Sequence, residues 1–262
     1  MIGGKTPLKP QGYTIVEVMI VLAVSSMLFV MAATFINGKQ ARTSFSTGVN
    51  EMTSRIQDTI TQVNRGKYSD VKLKCRIDAG SAKAEVPAPS DPDTPQGANP
   101  KCVFVGKFYH FKVENNPQKY EVFSLAGIRD KTSLGDAGVS VISELTDSSN
   151  IPRGLEVESV KVDGEVNYGF GFAQGLGTAA ADGFGYESGS QNITMIATRF
   201  TNKLSSNENS FSASNKVNAG DLTIAKRAVV CLTDGTRYAT ITLGDTNNEL
   251  IANTRLGLNS CP

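Results

Sequence analysis

Tryptophan is absent from the 262 residues, and histidine occurs once, as His110. With one imidazole, a Ser/His/Asp machine has a single candidate base, and no nucleophile motif accompanies it. The four cysteines, Cys75, Cys102, Cys231 and Cys261, include no C-x-x-C pair, so a zinc centre lacks both its spacing and its histidines. Excess charge is missing too. The formal net charge is +1, and beyond residue 36 the chain holds 24 basic and 24 acidic residues, since residues 1–36 contain two lysines and one glutamate. A neutral body excludes the broad basic footprint of a general DNA binder. Proline is missing from residues 13–60, whereas five of the ten prolines crowd into residues 79–101.

Only one long apolar run is present. From Val18 to Ile36 the chain carries no charge, which at about 1.5 Å per residue gives about 28 Å of helix. That length suits a hydrocarbon core of about 30 Å. Glu17 stands at its lip, where an ionised side chain is costly and calls for a reason. One reading is a cleaved secretory signal, but such signals have an apolar region of about 7–15 residues, and here Ala32-Ala33 would be the cleavage site behind a longer run. Another is a plain single-pass anchor with Glu17 as an unpaired interfacial carboxylate. A third treats Met1 to Gly12, with Lys5 and Lys9, as a cationic leader held in the cytoplasm by the positive-inside tendency.

Gly12, then Tyr13, Thr14, two apolar residues and Glu17, followed by this run, resembles the class III signal of type IV pilins and type II secretion pseudopilins. The resemblance implies that a prepilin peptidase cuts between Gly12 and Tyr13 and that the new Tyr13 amine is methylated. It gives Glu17 an assembly role, pairing with the amine of a neighbouring subunit's Tyr13 as a subunit enters a helical filament. Pairing of this kind matters because removing one partner of a charge pair from a low-dielectric setting is strongly destabilising. The implied partners are the peptidase, other pilin or pseudopilin subunits, an inner-membrane assembly platform, and membrane lipid before assembly. No cofactor and no metal are implied, and the protein is not an enzyme on this reading. It is a single-pass protein of the cytoplasmic membrane with an extracytoplasmic head, later part of a surface or periplasmic filament. Many major pilins have a helix-kinking proline in this segment, which this chain lacks; the large head points towards a minor pilin or pseudopilin. The alternatives are a membrane-anchored surface adhesin that never polymerises and a competence pilin that binds DNA.

The helical period continues past the apolar run. Phe45, Val49, Met52, Ile56, Ile60 and Val63 form one stripe with polar residues elsewhere, and Gly66 offers a stop. A helix from Tyr13 to Arg65 is expected, about 80 Å long if fully wound. Strand signals follow. Val103–Val113 and Tyr120–Leu125 flank Asn115-Asn116-Pro117-Gln118; Val157–Val162 reaches Asp163-Gly164 and then an alternating run through Val166, Tyr168, Phe170 and Phe172. Ile193–Phe200 is a further strand, and Ala228–Leu232 with Tyr238–Leu243 brackets Asp234-Gly235. A long helix packed on an antiparallel β-sheet head with long loops is the α+β class. The divisions expected are a leader 1–12, a transmembrane or filament-core helix 13–36, an amphipathic helix 37–66 and a β-rich head 67–262. One sheet is preferred over two small ones. Residues 79–101 read as a surface excursion, 173–192 and 202–221 as loops.

Four cysteines allow three pairings. Cys75–Cys102 and Cys231–Cys261 are chosen because each closes a local loop, and a C-terminal disulfide loop also resembles what many pilins carry. Disulfides imply an oxidising compartment. Weaker signals remain. Lys72, Lys74 and Arg76, with Arg65, Lys67 and Lys83 around them, could meet phosphate, although aromatic residues for stacking are sparse there and a solvated junction is the plainer reading. Asp91, Asp93 and Gly97 hint at a calcium loop that Pro92 and Pro95 spoil. The glycines from Gly169 to Gly177 lack the helix and acidic partner of a nucleotide fingerprint, and Asn192-Ile193-Thr194 is a chance-frequent sequon inside a strand.

Overall fold

The computed structural model describes residues 13–66, 74–78, 81–85, 102–111, 116–128, 138–174, 186–188, 191–198, 222–244 and 250–262. The chain divides into two compact units, Met1–Ser44 and Phe45–Pro262. Helix α1 spans Ile15–Asn64. It ends where the sequence offers a glycine: Gly66 takes φ 60°, a backbone region that glycine enters without a Cβ penalty. The Arg65 and Gly66 N–H groups still donate to the Thr61 and Val63 carbonyls, both at 3.0 Å.

The second unit holds fourteen strands among the described residues. They are β1 (Lys74–Asp78), β2 (Ser81–Glu85), β3 (Cys102–Phe111), β4 (Lys119–Ile128), β5 (Ser140–Asn150), β6 (Glu156–Val162) and β7 (Glu165–Val166). After them come β8 (Gly169–Gln174), β9 (Tyr186–Ser188), β10 (Gln191–Thr198), β11 (Leu222–Ile224), β12 (Ala228–Thr233), β13 (Tyr238–Leu243) and β14 (Asn253–Leu258). β1 and β2 form a hairpin by themselves. A seven-stranded sheet runs β11-β10-β8-β3-β4-β5, with β9 also on β10, and a five-stranded sheet runs β14-β13-β12-β6-β7. Every pairing is antiparallel. The fold is therefore α+β, as the periodicities indicate.

Four expectations are corrected. The head is built on two large sheets and a hairpin, where one sheet was preferred. The excursion at 79–101 begins with a paired strand, β2, and the stretch 173–192 contains β9 and the start of β10. Most consequential is the alternating run after Asp163-Gly164, which does not form one hairpin arm. Its first two residues, β7, close the five-stranded sheet, while β8 lies between β3 and β10 in the other sheet.

The crossing between sheets is made at Asn167, which is buried. Its N–H donates to the Val160 carbonyl at 2.8 Å, finishing the link to β6. Its side-chain oxygen accepts the Tyr168 N–H at 2.8 Å and the Gly169 N–H at 3.3 Å, starting β8. One side chain thus ends pairing in one sheet and opens it in the next, which strict alternation along the sequence conceals.

The helix stripe is the centre of the core. Phe45, Val49, Met52, Ile56, Ile60 and Val63 are all buried, and they share one cluster with Tyr109, Phe111, Phe170, Phe172 and Met195 of one sheet and with Val157, Val160, Val230, Leu232 and Ile241 of the other. Tyr109 is stacked with Phe111, Tyr120 and Phe170 at ring-centroid separations of 5.8–5.9 Å. The far face of the seven-stranded sheet is apolar too: Val105, Phe108, Phe123, Leu125, Ala173, Ile196 and Leu222 make a second cluster. Gly169 and Gly171 belong to that face. A Cβ at Gly169 would strike the Tyr109 carbonyl, and at either glycine it would come within 2.8 Å of the Phe108 ring. Close approach of strand and ring accounts for these glycines, and no nucleotide loop is needed.

Candidate functional site

Tyr13 and Thr14 precede the first helical residue, Ile15, and Thr14 caps the helix. The Glu17 N–H donates to the Thr14 hydroxyl at 3.3 Å and to its carbonyl at 3.1 Å, and the Val18 N–H donates to the same carbonyl at 3.2 Å. A threonine here satisfies one of the N–H groups that have no carbonyl ahead of them in the helix. Glu17 falls in the first turn, where a negative charge complements the positive end of the helix dipole. Tyr13 is 81% exposed, and Glu17 is exposed as well.

Beyond this turn, Ile15–Ala32 is an 18-residue apolar span with mean hydropathy 2.5, and none of it is buried. At about 1.5 Å per residue it measures about 27 Å, enough for a bilayer core. One of its two serines is accommodated locally: the Ser26 hydroxyl donates to the Leu22 carbonyl at 2.7 Å. The Glu17 carboxylate thus stands at the rim of the apolar span, where a dry environment makes an ionised side chain costly.

Within the second unit the polar groups on the helix serve its docking. The Arg55 guanidinium donates to the Tyr120 hydroxyl at 2.9 Å and pairs with Glu51 at 2.7 Å. Thr59 and Tyr109 share a hydrogen bond of 2.7 Å, and burial, ahead of all else, pushes the Tyr109 phenol up from its ordinary range. Gln57 accepts the Ala252 N–H at 3.2 Å, and Lys107 donates to Gln62 at 2.8 Å. These bonds tie the helix to β3 and β4 of the seven-stranded sheet and to the segment just before β14.

His110 is buried in β3, 3.9 Å from the Glu121 carboxylate and stacked on Phe123. Burial pushes its pKa down to about 4, so it is neutral at ordinary pH. Cys231 on β12 is joined to Cys261, with Cα atoms 5.8 Å apart. Among the described residues no group of His, Cys, Asp and Glu side chains could hold a metal ion.

Several sequence candidates lie outside the described residues: Gly12 and the leader, Lys72, Asp91, Asp93 and Gly97. The same holds for the side chains of Cys75, Cys102, Lys74, Arg76 and Asn192, whose backbones lie in β1, β3 and β10. Thr14 is the residue whose part was not read from the sequence. The signal for it was present, since Thr14-x-x-Glu17 fits the capping-box pattern.

Residues 8–33 match the family model described as the prokaryotic N-terminal methylation motif, and the match supports the type IV pilin and pseudopilin family. That similarity is confined to residues 8–33, which include the start of the apolar helix Ile15–Ala32, a span long enough and apolar enough to cross a membrane. No curated protein and no solved structure matches the chain.

Proposed function

We propose that the protein is a prepilin, cut after Gly12, methylated at Tyr13, and assembled through its N-terminal helix as a subunit of a type IV pilus or type II secretion pseudopilus. The observation that carries this reading is Glu17 in the first turn of an apolar helix whose span Ile15–Ala32 is unburied among the described residues. Before assembly, lipid covers the 13–36 segment; after assembly, neighbouring helices do. Glu17 then pairs with the Tyr13 amine of a neighbour, a contact made only once the leader has gone. Lys5 and Lys9 hold the leader in the cytoplasm, and the head is extracytoplasmic. The Cys231–Cys261 bridge suits an oxidising compartment. Size favours a minor pilin or pseudopilin, since the unit from Phe45 to Pro262 is much larger than the helix that would carry it into a filament.

The test is Glu17→Ala in the producing cell. The reading expects normal membrane insertion and leader removal, with strongly reduced recovery of the subunit in sheared or purified filaments. Recovery at the wild-type level would refute the role assigned to Glu17.

A further inference from the structure

We propose that the two edges of the five-stranded sheet are complementary docking surfaces: the β14 edge of one copy of this chain seats against the β7 edge of a second copy, Arg255 meeting Glu165 and Leu256 meeting Val166.

In the head, the large apolar side chains left exposed among the described residues are Val166 at 50%, Ile251 at 47% and Leu256 at 44%. All three lie at the edges of one sheet, Val166 in β7, Leu256 in β14 and Ile251 just before it. Each apolar edge residue has an exposed charge beside it, Glu165 next to Val166 and Arg255 next to Leu256. Neither is paired with another charge among the described residues. The remaining charges near β7 are placed otherwise. Asp163 accepts the Lys226 and Arg227 N–H groups at 3.0 and 2.8 Å, and those two residues lead into β12, two strands in from the edge. Glu158 and Lys161 belong to β6. On the other side, Arg255 is the one charged side chain from Leu250 to Pro262.

Charge chooses the pairing. Like edges would set Glu165 against Glu165, or Arg255 against Arg255, which is costly at an interface. Unlike edges set carboxylate against guanidinium and apolar against apolar. Strand addition is not the mode of contact. β7 is two residues long, and the β13–β14 register shifts at a bulge where Gly257 takes φ 76°, two devices that blunt an edge. The contact is therefore made by side chains. Because the two surfaces differ and lie at opposite edges of the sheet, each docked copy offers a fresh edge to the next, and the series stays open unless its rotation closes a ring. A run of copies joined in this way suits a filament, yet it does not depend on the role given to Glu17.

The test uses two differently tagged full-length copies produced together, one carrying Arg255→Lys and Glu165→Gln, the other unaltered. Their membranes and filaments are treated with a water-soluble carbodiimide. The reagent activates the Glu165 carboxyl, the amine introduced at position 255 displaces it as a urea, and an amide joins the two side chains without a spacer. With this combination the amide forms only between copies. The expected result, read by mass spectrometry of peptides, is position 255 of one tagged copy joined to Glu165 of the other, with loss of that product when the second copy carries Glu165→Gln. An amine joined to a carboxylate of its own chain would show that another segment covers the β14 edge. One joined only to a different protein would show that the occupant is not a second copy, and no amide at position 255 would show an unoccupied edge. Each of these three would overturn the inference. Full recovery of Glu17→Ala in filaments would instead strike the assembly role of Glu17 and leave the amide as it is.

Discussion

Asn167 and Thr198 hold each other by two hydrogen bonds across the seven-stranded sheet. The Asn167 amide donates to the Thr198 carbonyl at 3.0 Å, and the Thr198 hydroxyl donates to the Asn167 side-chain oxygen at 2.9 Å. Both residues are buried. The same asparagine starts β8, so the pair fixes where the chain passes from one sheet to the other.

Removing that side chain leaves several buried groups without partners, each costing roughly 1–3 kcal/mol. Asn167→Ala is expected to lower head stability by about 3 kcal/mol, and Thr198→Val by about 1–2 kcal/mol. Urea titration of the two single variants and the double variant checks this. A double variant no worse than Asn167→Ala alone shows the coupling, whereas simple addition of the two losses would deny it.

Ile56 is fully buried at the middle of the helix stripe, while Ser54 on the same helix is exposed. Ile56→Ala removes apolar volume that the two sheets cannot fully collapse around, at a cost of about 2–5 kcal/mol. Ser54→Ala is expected to change stability by less than about 0.5 kcal/mol. Thermal unfolding of both variants is the measurement; equal effects would contradict the assignment of the buried face.

The Cys231–Cys261 bridge closes a loop with a sequence separation of 30. In the chain-entropy model a loop of that size contributes about 3–4 kcal/mol. Cys231→Ser with Cys261→Ser, compared with the parent by urea titration under oxidising conditions, is expected to show a loss of that order. An unchanged midpoint would show that the bridge contributes nothing to stability.

His110 gives the head a dependence on pH. Burial lowers its folded-state pKa to about 4, against an ordinary value of 6.5. The unfolded chain therefore binds the proton first. This contribution to stability is complete above about pH 6.5 and is lost as the pH falls towards 4. At about 1.4 kcal/mol per pH unit over that window, the loss approaches 3 kcal/mol. Midpoints measured from pH 7 to pH 4 are expected to fall more steeply for wild type than for His110→Gln. Parallel profiles would show that His110 does not titrate in this way.

Much of this molecule can be read along the chain, for reasons that differ by element. The helix stripe from Phe45 to Val63 keeps its period because one face meets both sheets. The hairpins at Asp163-Gly164 and Asp234-Gly235 announce themselves because those backbones need positive φ, found at Asp163, Gly164 and Gly235. The passage at Asn167 was hidden because alternation from Val166 to Phe172 runs through it unbroken, and only partners distant in sequence reveal the corner. β5 and β14 were missed because Ser140–Asn150 and Asn253–Leu258 are polar strands at sheet edges, with little apolar alternation to mark them. At the N-terminus the situation is reversed. Gly12 to Glu17 is legible as a motif, whereas the bond from Thr14 to Glu17 requires the helix to be built.

The central claim is tested most directly by the N-terminal residue of the mature protein, determined by mass spectrometry on material from its native membrane. A chain that begins at methylated Tyr13 is the predicted result. Retention of residues 1–12, or a chain that begins near Thr34, would contradict it and remove the role of Glu17.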